Sequence, residues 1–561
     1  MSDFGKSTMP NVIEKFRILA GALSSGKYFI IMVIFAFCVF FLGLGARDLW
    51  GGDEPRVAGI SSEMTFDGKW LAPHLNGKPF LEQPPLYYWS NALSFKIFGY
   101  SSSATKLPSA LAAFLGVMAV FMLVKAMKYS NLAALLSGVM LATSAQYWRY
   151  GRKCMVDMFL CAFIIIAMTA FYKLCSSDKT KNKISWYLLF ILALGGAIFS
   201  KGLIGLAIPS SALFFWLLVD DIYDKRKFNF SRWIFLFSGA LLCFIPVGIW
   251  LYFLYRDFGF DAFYTVTWHN NLGRFIGSHP DHKEPFYYYL LKLPEQLQPW
   301  TVLLPFAVIF HFIRAKKEKT ANSWFMLCWL LIPYLMLSIA AGKRQVYVLP
   351  LYAAEAIMIG TMLAMCLEGR VKLPWKINYP LIAKIFAIAL TAALGVGGIV
   401  FAGIVFYCHE TFVALFFPAV MLLAALCSWR FMSKSKIGAV ALALLVALAA
   451  TYIAVDTVLF RINNAKQSYQ PLFEWCRAEI DSGKKLYLYA PTERISGGAV
   501  FYLGSRMPGL SLSAQTIEAN AIVLTEDSNL EKLKDHGYVT LKFFEIKKDK
   551  YYLLKHEGGA K

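Results

Sequence analysis

The sequence predicts a polytopic α-helical membrane protein that ends in a small α/β domain. Three observations carry that expectation. The 561 residues are 58% hydrophobic and only 16% charged, outside the range of soluble domains. Apolar runs of spanning length recur as far as Val455. Beyond that residue charge returns, and short strand-like runs replace the long apolar ones.

The apolar runs begin near residues 28, 106, 132, 156, 184, 203, 232, 299, 322, 346, 380, 411 and 437. They amount to about thirteen helices at roughly 20 residues per span. A polar tail precedes the first, and no small-residue cleavage site follows it, so the first span is expected to be an anchor. Lys and Arg cluster in alternate short segments, including Lys173–Lys183, Arg314–Lys319 and Arg430–Lys436. With those segments inside, the N-terminus is cytoplasmic. An odd number of spans then puts the loops 46–104 and 257–298, and the C-terminus, on the outer face. The net charge of +21 is accounted for by topology and anionic lipid, with no need of nucleic acid. The ten cysteines fall mostly inside apolar runs and suggest neither a disulfide frame nor a zinc finger.

Residues 1–460 are read as the membrane domain and 461–561 as an outer α/β domain, large enough for a modest core. In the latter, strands are expected at Lys485–Tyr489, Ala499–Leu503, Ala521–Leu524 and Val539–Phe544, with a helix over Asn529–His536. Two amphipathic stretches in the first loop, 54–66 and 85–98, fit helices lying in the interface plane. The aromatic character of both long loops suggests that they roof a cavity.

The first long loop holds the densest chemistry. It reads Trp50-Gly-Gly-Asp53-Glu54-Pro55-Arg56, then Pro73-His74-Leu75-Asn76-Gly77, then Glu82-Gln83-Pro84-Pro85-Leu86-Tyr87-Tyr88-Trp89. Adjacent carboxylates after an apolar span suit a site that handles a polar head on a lipid. Asp-Glu-Pro also suits the first turn of a helix, which is the blander explanation. As a catalytic group, Asp53 could act as general base toward a hydroxyl acceptor, or position an acceptor that is already anionic. Arg56, Arg149, Arg152, Lys153, Lys201, Arg256, Arg274, Lys343 and Arg344 lie on the face that topology keeps poor in positive charge. Headgroup contact explains some of them. A phosphate-binding lining explains them better, since Arg forks hold phosphate bidentately. His74, Glu82, His269, His279 and His282 make a candidate divalent-metal set, zinc first, against solvated loop histidines as the alternative. Tyr88 and Tyr347 are candidate contacts to sugar or prenyl chain, or interfacial anchors.

Together with Asn271-Leu-Gly-Arg274-Phe275, Pro285-Phe-Tyr-Tyr-Tyr289 and Gly342-Lys343-Arg344…Tyr347-Val-Leu-Pro350, the loop motifs resemble those of the bacterial aminoarabinose transferases of lipid A. Those are GT-C integral-membrane glycosyltransferases related to the protein O-mannosyltransferases. The resemblance implies a GT-C architecture in a bacterial inner membrane. It implies that Asp53 is the catalytic carboxylate, with Glu54 beside it and Asp157 in support. It places Arg274 and Lys343 beside the phosphate of a polyprenyl-phosphate sugar, with Glu82 and Gln83 at the substrate. Two departures bear on specificity. The family carries Glu-Lys-Pro-Pro where this chain has Glu82-Gln83-Pro84-Pro85, and a Glu-His pair where it has Asn270-Asn271. Both leave the sugar and the acceptor open.

The expected function is therefore an inverting glycosyltransferase. It takes a sugar, 4-amino-4-deoxy-L-arabinose or another, from an undecaprenyl-phosphate donor to lipid A or another envelope glycan. No cofactor is required. A flippase for a lipid-linked sugar would show inverted repeats and midplane charges, and no repeat is present. A protein O-mannosyltransferase is the other alternative, against which the Pro-His-Leu-Asn-Gly segment and the absence of an inserted β-trefoil-like domain argue.

Overall fold

The computed structural model describes residues 25–223, 228–273, 283–318, 320–370, 379–408, 410, 412–433, 437–512 and 521–556. Among them, nine helices are long and apolar enough to cross a membrane. A bent pair, Tyr288–Gln296 with Trp300–Lys317, makes a tenth candidate, and Gly26–Phe41, Asn131–Ala142 and Phe416–Arg430 are shorter apolar helices. The protein is a multi-pass membrane protein.

The chain divides into two compact units. One comprises the stretch ending at Leu42 with Ala110–Arg152 and Val156–Val458. The other comprises Gly43–Ser109, Lys153–Met155 and the residues from Leu459 onward. The first long loop thus shares a unit with the C-terminal segment, where the sequence alone grouped it with the membrane spans.

In the first unit the helices Val156–Ser176 and Thr180–Lys201 pack as a pair, as do Tyr352–Leu367 and Asn131–Ala142. Small residues set the second contact. A Cβ on Gly360 would lie 2.6 Å from the backbone nitrogen of Ser137, so glycine lets the two backbones approach. The helices between Phe230 and Tyr264 expose Ile234, Phe237, Leu241, Ile245, Ile249 and Tyr252 along their length. In lipid, an apolar surface of that kind is the stable one.

In the second unit the helix Asp53–Asp67 starts after Gly51 (φ 75°) and Gly52 and ends at left-handed Gly68, whose N–H returns to the Met64 carbonyl. Asp53 and Glu54 in its first turn complement the helix dipole. The sequence pattern suggested an interfacial helix here. Instead every residue from Val57 to Met64 is buried, because the helix lies inside this unit. Its partner is the helix Glu493–Leu503. The two cross at paired glycines: a Cβ on Gly59 would sit 2.4 Å from the Gly497 Cα, and one on Gly497 2.5 Å from the Arg56 Cα. The helix Leu86–Phe98 buries Tyr87, Tyr88 and Phe95 and exposes Leu93, Ile97 and Phe98.

Strands β1 (His74–Leu75) and β2 (Lys78–Pro79) form a hairpin across Asn76-Gly77, both at positive φ, the turn that this dipeptide favours. The C-terminal sheet runs β3 (Leu486–Leu488), β4 (Ile522–Glu526), β6 (Asp549–His556), β5 (Tyr538–Ile546). The pair β3–β4 is parallel and the others antiparallel. Tyr469, Leu472, Phe473, Leu488, Ile522 and Leu553 fill the core beneath it. The expected strand Ala499–Leu503 is a correction, since it belongs to the helix Glu493–Leu503. Gly497 and Gly498 weaken the local helical signal, but they are there for close packing.

Candidate functional site

The two adjacent carboxylates are placed in opposite environments. Glu54 is 2% exposed and accepts four hydrogen bonds. Arg47 gives two, Nη1 to Oε2 at 2.5 Å and Nη2 to Oε1 at 2.7 Å. The backbone N–H groups of Trp50 and Cys154 give the others, at 2.8 and 3.0 Å. Burial pushes its pKa up, but Arg47, Lys106 and Lys153 outweigh burial and hold the carboxyl down at about 2. Lys106, itself buried, donates to the Arg47 carbonyl and to Ser102 Oγ. Glu54 thus ties the turn together and presents no free lone pair to a substrate.

Asp53 is 35% exposed, and Arg56 Nη2 donates to its Oδ1 at 2.7 Å. That geometry suits a carboxylate meeting an acceptor. Nη1 of the same guanidinium donates to Glu493 Oε2 at 2.7 Å, so one arginine bridges two acids. Its plane lies over Phe80, 5.5 Å from the ring centre, and Phe80 packs edge-on to Tyr88. Burial opposes the charge on Arg56, but the Tyr88 hydroxyl, Asp53 and Glu493 stabilise it and raise its pKa. Burial pushes the Tyr88 phenol up, so it remains a hydroxyl donor at neutral pH. Glu82 and Gln83 are half-buried ahead of Tyr88, and His74 is buried with Nδ1 2.9 Å from the Ala72 carbonyl.

In the first unit Asp157 pairs with Lys201, whose ammonium lies 4.8 Å from the centre of the Tyr347 ring. The sequence pattern puts Arg152 in a phosphate-binding lining. Arg152 instead binds Asp456, and donates to the carbonyls of Val39 and Leu42 at 2.9 and 2.8 Å. An arginine so committed closes the end of a helix. Arg149 is exposed, Arg344 half-buried, and Lys343 buried with Nζ on the carbonyls of Glu284 (2.8 Å) and Ala340 (2.6 Å). Arg274, His279 and His282 lie outside the described residues. His269 is exposed. Among the described residues no three His, Cys, Asp or Glu side chains converge as a metal-binding group.

Sequence reasoning missed Arg47, Lys106 and Glu493. Arg47 had a signal, a charged residue directly after an apolar span. Glu493 had none, being 437 residues from Arg56.

The crystal structure of ArnT from Cupriavidus metallidurans bound to undecaprenyl phosphate matches with a TM-score of 0.71, over 94% of this chain and 98% of that one, at 17% identity. Its apo form matches with the same TM-score of 0.71 at 18% identity. This chain therefore has the fold of those two ArnT structures.

In sequence, residues 25–264 match the family model described as dolichyl-phosphate-mannose-protein mannosyltransferase. The undecaprenyl phosphate-alpha-4-amino-4-deoxy-L-arabinose arabinosyl transferase of Erwinia tasmaniensis is 31% identical over 335 residues, 59% of each chain. The protein of the same name from Aeromonas hydrophila is 28% identical over 347 residues, 62% of this chain and 61% of its own. The chain spans about three fifths of the length of these curated relatives.

Proposed function

We propose that this protein is an inverting glycosyltransferase that takes a sugar of the aminoarabinose class from an undecaprenyl-phosphate donor and transfers it to lipid A or another envelope glycan. The reaction runs at the periplasmic face of a bacterial inner membrane, with the N-terminus in the cytoplasm and the C-terminal segment outside. The observation that carries the proposal is the division of labour at Asp53-Glu54. One carboxylate is saturated and buried; the other is accessible beside a guanidinium. The names of the relatives supply the donor class.

In the transfer, the acceptor oxygen attacks the anomeric carbon as the bond from that carbon to the phosphate oxygen breaks. Undecaprenyl phosphate leaves with the electron pair. Asp53 takes the proton of a hydroxyl acceptor, or orients an acceptor that is already ionised. Arg56 offsets negative charge as it gathers on the departing phosphate. By the resemblance of their motifs, Lys343, Arg344 and Arg274 are assigned to phosphate binding and Asp157 with Tyr347 to the substrate, Lys201 being the ion-pair partner of Asp157. A phosphate ester is already an activated leaving group, so the chemistry needs no cofactor. Deletion of the gene should remove one sugar from an envelope lipid in mass spectra, and complementation should restore it. Unchanged spectra across all envelope glycans would overturn the proposal.

A further inference from the structure

Arg56 is the best-placed cation beside Asp53, yet it is not free to meet an anion. Its two terminal nitrogens are engaged by two carboxylates, Asp53 and Glu493, each at 2.7 Å. Its Nε is buried and has no hydrogen-bond partner among the described residues. The guanidinium therefore has a fixed position over Phe80, a neutralised charge and donors still to spare, the buried Nε–H among them. A phosphate meets the full positive charge only by replacing one of the acids, because the two carboxylates already offset it.

Of the two, Glu493 is built to yield. It is 49% exposed against 35% for Asp53. It stands in the first turn of its helix, where the exposed backbone N–H groups stabilise its charge without Arg56. Asp53 is in the first turn of Arg56's own helix and three residues away, so its contact is local and the helix holds the two side chains close. The backbones cannot slide to relieve the competition, because Gly59 and Gly497 lock the two helices in register. Lys547, in the turn between β5 and β6, adds positive charge nearby: its Nζ would be 3.9 Å from a Cβ on Gly51.

We infer that Glu493 holds the place of a phosphate on Arg56, and gives up the guanidinium when the phosphate of a lipid-linked donor binds. This rests on the donor class proposed above. It makes Glu493 a positioning residue, which keeps the guanidinium over Phe80 while the site is empty and weakens the hold on the phosphate product afterwards.

The test is the affinity of the full-length protein in detergent for undecaprenyl phosphate, with and without substitution of Glu493. Glu493→Gln should bind it about threefold to tenfold more tightly, the range expected for releasing one partly exposed ion pair. Its binding should also weaken more steeply with added salt, since the released charge is screened by ions. Glu493→Asp, one methylene shorter, should fall between the two. In turnover, Glu493→Gln should lower the KM for donor without raising kcat. Unchanged or weaker binding of undecaprenyl phosphate by folded Glu493→Gln would overturn the inference, even where transfer proceeds. Tighter binding in Glu493→Gln, with no sugar transferred by wild type, would leave the inference standing and sink the proposed function.

Discussion

Glu54→Gln removes the carboxylate charge that Arg47 grips with both terminal nitrogens. The guanidinium is as buried as its partner, with both side chains 2% exposed. The glutamine amide would also aim a donor at groups that are themselves donors, namely Arg47 and the N–H groups of Trp50 and Cys154. Breaking a buried pair from one side costs about 3–5 kcal/mol. At about 2–4 °C per kcal/mol for a unit of this size, the apparent Tm should fall on the order of 10 °C. Thermal unfolding in detergent, followed by tryptophan fluorescence, reads this directly. Asp53→Asn is the internal control. Its ion pair is partly exposed and contributes below about 1 kcal/mol, so its Tm should stay near that of wild type. The pH dependence follows from the depressed carboxyl. Its contribution is fully present above the ordinary carboxylate range and is lost as pH falls from about 4.5 toward about 2. Glu54→Gln should flatten that acid limb. Equal stability of Glu54→Gln and wild type, or equal losses in the two neighbours, would refute the assignment of Glu54 to structure and Asp53 to chemistry.

Three further substitutions have defined outcomes. Gly497→Ala must push the Glu493–Leu503 helix off the Asp53–Asp67 helix, costing about 1–3 kcal/mol of stability and most of the transfer activity; an active variant of wild-type Tm would contradict the close crossing. Gln83→Lys adds a cation ahead of Tyr88 and should tighten undecaprenyl phosphate binding about tenfold, as a charge-assisted hydrogen bond does; no change would move the phosphate elsewhere. Glu355 is buried in the Tyr352–Leu367 helix, and neither carboxyl oxygen has a hydrogen-bond partner among the described residues. Glu355→Gln should therefore keep or raise the Tm, whereas a large loss would reveal an ionic partner.

Much of the architecture was legible because membranes permit few solutions. Long apolar runs can only be helices, and the return of charge after Val455 marks where the lipid ends. The helices at 53–67 and 86–98 were visible as amphipathic stretches over 54–66 and 85–98, from their apolar spacing. What burial does to neighbours was not legible. Asp53 and Glu54 look equivalent in sequence, and only Arg47, folding back seven residues, separates them. Arg152 looked like a phosphate ligand because arginine at a span end usually faces a headgroup; here Asp456, 304 residues away, takes it. Strand β6 went unseen because lysines bracket its apolar centre, and its pairing with β4 and β5 supplies the order that its composition does not.

The most direct measurement is turnover by purified Asp53→Asn with undecaprenyl-phosphate aminoarabinose as donor and lipid A as acceptor, product read by mass spectrometry. The substitution keeps the shape and an oxygen for Arg56 but removes the charge proposed to meet the acceptor. Transfer should fall about 10²–10⁴-fold, with the apparent Tm of wild type retained. Wild-type turnover by the folded variant would contradict the central claim and leave Asp53 as no more than the first residue of a helix.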